Sequence, residues 1–129
     1  MKKITRVMLI DDSKTDNFYH EYILRKADVA QEIVAIESAD AALEYLVNPN
    51  SPEIDLIYLD VNMPRMTGFE FVEAYQKIKS PARHITIVML PPTPSQRDIQ
   101  RSQALTEIRQ HVTKPLTVEA VREITNKYF

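Results

Sequence analysis

Three aspartates and one lysine stand where short candidate strands stop. Asp11 and Asp12 follow Ile4 to Ile10, Asp60 follows Asp55 to Leu59, and Lys114 follows Gln110 to Thr113, just before Pro115. Carboxylates packed together repel one another unless a cation joins them. Magnesium suits such a group, because this hard ion takes one or two carboxylates together with waters and a substrate phosphate. A lysine on the same edge adds a mobile positive charge. Three acids, a lysine and a metal fit phosphoryl transfer, in which the cations neutralise equatorial oxygens while a carboxylate attacks in line. Each residue alone has a duller use: Asp-Asp-Ser before a helix is often a solvated turn or cap, Asp60 a turn residue, and a Lys-Pro pair is nearly uninformative. Their joint order at strand ends is what carries weight.

The elements that must position them can be read from hydrophobic periodicity. Ile4 to Ile10 reads as a strand buried on both faces. From Thr15, Phe18, Tyr19, Tyr22, Ile23 and Lys26 recur at helical spacing, with Ser13 or Thr15 as N-cap and Asp16 suited to the first turn. Strands are then expected at 32–37, 55–59, 85–90 and 110–113, and helices at 39–47, 69–78, 95–105 and 118–128. The fourth strand is stopped by Pro91-Pro92, because proline cannot donate to a ladder. Strands separated by helices cannot pair as hairpins. The architecture expected is therefore α/β, an open, doubly wound parallel sheet with helices on both faces, and ligands bind at the carboxyl ends of such strands.

The 129 residues, 44% apolar and 26% charged, suffice for one domain spanning 1–129 and hardly for two. A net charge of −2 argues against nucleic acid, and the absence of cysteine excludes disulfides, thiolate metal sites and a cysteine nucleophile. No apolar run approaches the roughly 20 residues of a membrane helix, and Met1-Lys2-Lys3 leads into no cleavage-site pattern, so a cytoplasmic location is expected. Phe18, Tyr22, Tyr45, Phe69, Phe71 and Tyr75 read as core or helix-face packing. Arg97, Arg101 and Arg109 read as a solvated face, and His20 and His84 as structural or exposed.

Taken together, LIDDS at 9–13, LDVNMPRMTG at 59–68 and TKPL at 113–116 resemble the receiver domain of two-component response regulators, of CheY-like, single-domain type, over the whole chain. The resemblance implies five strands in the flavodoxin-like order 2-1-3-4-5. It implies that Asp60 accepts phosphate from a histidine kinase or a phosphotransfer protein. Asp12 and Asp60 would bind Mg2+ directly, Asp11 through water, and Asn62 through its main-chain carbonyl. Lys114 would contact the phosphoryl group, and the Lys114-Pro115 bond would be cis. The protein would be no enzyme beyond self-catalysed phosphoryl transfer onto and off Asp60. Without an output domain, it would signal by contact with a downstream protein, or as a homodimer, through the fourth helix, fifth strand and fifth helix. Gly68, the only glycine, falls where the family's loop needs one, which suggests a backbone angle closed to other residues.

Two positions depart from the family. Pro91 stands where Ser or Thr is usual and Pro92 follows it, which removes a hydroxyl and a main-chain N–H that contact phosphoryl oxygens. Each lost charge-assisted bond is worth on the order of 1.5–3 kcal/mol in a dry site. Thr93 or Ser95 could substitute only if the PPTPS loop folds back. His111 stands where Tyr or Phe usually turns inward on activation. Two other readings stay open: a docking module of the same fold that no longer switches on phosphate, and, remotely, an aspartate-nucleophile phosphohydrolase, which would want an acid at position 62.

Overall fold

The computed structural model describes residues 3–78 and 84–129. Strand and helix alternate throughout: β1 (Ile4–Ile10), α1 (Lys14–Ala27), β2 (Ala30–Ile36), α2 (Ala39–Val47), β3 (Leu56–Asp60), α3 (Gly68–Ile78), β4 (Thr86–Leu90), α4 (Gln96–Gln103), β5 (Ile108–His111) and α5 (Val118–Tyr128). The five strands are parallel in the order β2-β1-β3-β4-β5. The chain runs outward from β1 to β2 and then returns to the other side of β1, so the order reverses between β1 and β3. That crevice is where open α/β sheets bind ligands.

Side chains alternate across each strand and feed two cores. Met8, Ile10, Ile57, Leu59, Ile87 and Met89 face α2 and α3, where Phe69, Phe71, Val72 and Tyr75 cover them. Val7, Leu9, Leu56, Tyr58, Val88 and Leu90 face α1 and α5, with Ile23, Leu24, Val121 and Ile124. A strand buried on both faces must be apolar at every position, and β3 is buried throughout.

The boundaries of four strands differ from expectation, those of β3 (56–60 against 55–59) and β4 (from 86 rather than 85) by a single residue. β2 begins at Ala30 rather than at residue 32, because its pairing with β1 starts at Ile4↔Ala30. β5 ends at His111 instead of Thr113; its register slips between Ile87 and Val88, and the half-exposed sequence IRQH carries no apolar run. The aromatics also divide. Phe69, Phe71 and Tyr75 are core, whereas Phe18 and Tyr22 stand out from α1, 79% and 53% exposed, and do not serve the core. Tyr45 lies between, its hydroxyl donating to the Pro52 carbonyl at 2.9 Å. His20 is buried and His84 exposed.

Candidate functional site

Strand register alone brings the first two acids together. Val7 pairs with Leu56 and Leu9 with Tyr58, so one alternation further Asp11 falls beside Asp60 on the α1 side of the sheet. Both carboxylates are buried, with Asp11 2% and Asp60 4% exposed. Asp12 faces solvent, yet Asp11, Asp12 and Asp60 each offer an oxygen within 4.8 Å of the others.

Helix starts fix this edge. Ser13 caps α1, its Oγ accepting from the Asp16 N–H at 3.1 Å, and the Ser13 N–H donates to Asp11 Oδ1 at 2.9 Å. The buried Asn17 amide donates to the carbonyls of Asp11 at 3.0 Å and Ile36 at 3.2 Å, which fastens α1 to the ends of β1 and β2. On the other side Thr67 and Glu70 form a reciprocal capping box at the start of α3. Gly68 opens that helix with its N–H donating to the Val61 carbonyl at 2.8 Å. Its φ is not positive, contrary to the expectation of a special backbone angle. Space is the reason for glycine here: a Cβ would collide with the Asp60 carbonyl oxygen and come within 3.0 Å of Met89 Cε and 3.2 Å of Val61 Cα. The positive φ in this loop belongs to Arg65 instead, at 70°.

Lys114 reaches into the acidic group from the end of β5. Its N–H donates to the Pro91 carbonyl at 2.9 Å, and the Lys114-Pro115 bond is cis. Its Nζ lies 2.7 Å from Asp11 Oδ2, 2.9 Å from Asp16 Oδ2 and 3.1 Å from Asp60 Oδ1. Burial opposes charge on the ammonium, but contacts with Asp11, Asp16 and Asp60 outweigh it and hold Lys114 above the usual lysine range. Burial, reinforced by the neighbouring Asp11 charge, pushes the Asp60 carboxyl up to about 6 despite Lys114. Asp11 Oδ2 is buried and meets the ammonium at 2.7 Å. Convergent oxygen donors whose mutual repulsion is only partly relieved by one lysine fit a hard divalent cation such as Mg2+.

The remaining sites expected from sequence lie around this edge. Asn62 and Pro92 are exposed and Pro91 is buried at the end of β4. His111 pairs with Met89, and its Nε2 is buried without a hydrogen-bond partner among the described residues. Burial lowers its pKa, opposed by Asp98. Asp16 as a partner of Lys114 and Asn17 as the tie between strands were not foreseen. Asp16 was legible only as a first-turn acid, because its partner is 98 residues away.

Comparison with known proteins agrees with this geometry. The family model of the response regulator receiver domain matches residues 7–126. A two-component response regulator of Oryza sativa subsp. japonica is 28% identical over 95% of this chain and 54% of its own length. A response regulator of Synechocystis is 29% identical over 77% of this chain and 69% of its own. The chain spans about half the length of the rice relative. Among solved structures, a two-component response regulator from Cytophaga hutchinsonii superposes with a TM-score of 0.90 at 29% identity, covering 98% of this chain and 97% of that one. The Vibrio cholerae chemotaxis protein CheY4 does so with a TM-score of 0.81 at 27% identity, covering 98% and 99%. Among the described residues no helix is long and apolar enough to cross a membrane.

Proposed function

The chain belongs to the response regulator receiver family, and on that premise we propose that it accepts a phosphoryl group on Asp60 from the phosphohistidine of a histidine kinase or a phosphotransfer protein. The observation that carries this reading is the convergence of Asp11, Asp12 and Asp60 with Lys114 Nζ 3.1 Å from Asp60 Oδ1. An Asp60 carboxylate oxygen attacks phosphorus, the P–N bond breaks, and the departing imidazole nitrogen keeps the electron pair. The product is an aspartyl phosphate. Lys114 is placed to take a phosphoryl oxygen as charge develops there. Asp11, Asp12, Asp60 and the main-chain carbonyl of Asn62 would hold Mg2+. When bound, that ion neutralises phosphoryl oxygens and draws the three carboxylates together.

Receiver domains are signalling modules, and the only chemistry proposed here is this self-catalysed transfer and its reversal by water. The output is a contact with a downstream protein, or between two copies, on the surface of α4, β5 and α5. A second reading, docking that does not depend on phosphate, is favoured by one feature: Pro91 ends β4 without a hydroxyl, and Pro92 follows without an N–H.

Intact mass after incubation with acetyl phosphate and Mg2+ tests the acceptor. One phosphate on the parent and none on Asp60→Asn is expected. An unmodified parent, or equal modification of both, overturns the assignment, and continuous phosphate release far beyond stoichiometry would mark a hydrolase instead.

A further inference from the structure

Lys114 has more acidic partners than the acceptor reading uses. Asp11 and Asp60 line the pocket, but Asp16 belongs to the first turn of α1 and stands outside the three-carboxylate group. Its carboxylate nevertheless meets Lys114 Nζ at 2.9 Å, closer than Asp60 does at 3.1 Å. The placement is built. Ser13 Oγ accepts from the Asp16 N–H, and the next residue, Asn17, is tied to both neighbouring strand ends. One turn further along the same helix, His20 is buried; burial and then Lys114 lower its pKa, opposed by Asp11 and Asp16.

We propose that Asp16 is a positioning residue for Lys114, a counter-anchor outside the acceptor pocket that competes with a phosphoryl group on Asp60 for the lysine ammonium. This inference rests on Asp60 being the acceptor. Once Asp60 carries phosphate, its bonded oxygen no longer offers a full charge to Lys114, and a divalent cation would share the charge of Asp11. Asp16 keeps its own. The lysine then divides its donors between phosphoryl oxygens and Asp16, so part of the phosphoryl group's hold on it is lost. The loss counts for more in this chain than where a hydroxyl and an N–H assist, because Pro91 and Pro92 supply neither. Asp16 is 41% exposed at its side chain and Lys114 16%, so water weakens the pair without removing it.

The test is a titration with beryllofluoride, a phosphoryl mimic, in saturating Mg2+, followed by amide resonances of residues 60–62. Asp16→Asn is expected to bind about three- to fivefold more tightly than the parent, the upper part of the range for an exposed ion pair. Asp16→Glu, which keeps the charge, should stay within about twofold of the parent. The gain should vanish in a Lys114→Met background. Equal or weaker binding by Asp16→Asn overturns the counter-anchor, as does a gain that persists without Lys114, since that would be plain charge repulsion. If Lys114→Met binds too weakly to titrate, metal-free melting of the parent, both single variants and the double variant decides. Non-additive shifts support the pairing and additive shifts overturn it. A parent that takes up no beryllofluoride overturns the Asp60 reading itself, whereas a parent that binds while Asp16→Asn gains nothing overturns this inference alone.

Discussion

Asp60 is held in a state that costs stability. Its carboxyl would ionise near 3.8 in the unfolded chain but is pushed up to about 6 in the fold by burial and by Asp11. The folded state therefore binds this proton more tightly than the unfolded one, and stability is lost as pH rises from about 4 to 6 and stays lost above it. Two units correspond to about 3 kcal/mol. Asp60→Asn removes the ionisation while keeping an oxygen for Lys114, so urea denaturation should show the variant more stable than the parent by up to about 3 kcal/mol at pH 8. The difference should shrink between pH 6 and 4 and be absent below 4. An unchanged difference across that range would mean that Asp60 is not the strained charge. Gly68 presents the opposite case, a residue whose lack of a side chain is itself the requirement. Gly68→Ala drives a methyl group against the Asp60 carbonyl and Val61 Cα, backbone atoms that cannot rotate away, with Met89 Cε on a third side. The expected loss is about 1–3 kcal/mol in denaturant midpoint, as for other overpacked interiors. A neutral result would show that α3 can slide along the sheet.

At the scale of elements, the start of α1 joins the fold to the chemistry. Asn17 is buried and its amide holds two strand-end carbonyls, so Asn17→Ala takes one donor from each, the Ile36 carbonyl keeping the Asp11 N–H, and should cost about 1–2 kcal/mol, read from urea denaturation in the absence of metal. The same change should weaken Mg2+ binding, because the Asp11 carbonyl and the turn that presents Asp11 and Asp12 share that anchor. Such ties explain what the sequence could and could not reveal. β1, β3 and β4 were legible because burial on both faces demands nearly continuous apolar runs, and the acids that end β1 and β3 mark the site edge. β2 and β5 are the outer strands, half-exposed, so their composition does not mark their ends. Phe18 and Tyr22 show the limit of a periodicity argument: helical spacing gives a shared face but not whether another element covers it. The Lys114 contact with Asp16, like the hold of Asn17 on Ile36, joins residues distant in sequence and becomes visible only once the sheet order brings β5, β1 and β2 to one edge.

For the whole molecule the question is how far an event at Asp60 travels. A ligand shifts a conformational equilibrium only by the free energy with which it prefers one state. Here the hydroxyl and N–H that would pull the β4–α4 loop toward a phosphoryl group are absent at Pro91 and Pro92. Pro91 is instead engaged through its carbonyl, which accepts from the Lys114 N–H at 2.9 Å, and three prolines between 91 and 94 fix backbone angles along the loop. His111, the residue at the expected far end of the response, is already half-buried with Nε2 unpaired among the described residues. Beryllofluoride with Mg2+ is therefore expected to shift amide resonances near residues 11–12, 60–62 and 114 while leaving 105–112 and α5 nearly unchanged. Pro91→Thr combined with Pro92→Ala restores both donors and should extend the shifts across 105–118. Large shifts at His111 in the parent would show that Lys114, tied to Pro91 at its backbone and to three carboxylates at its side chain, transmits the signal along β5 without help from the loop.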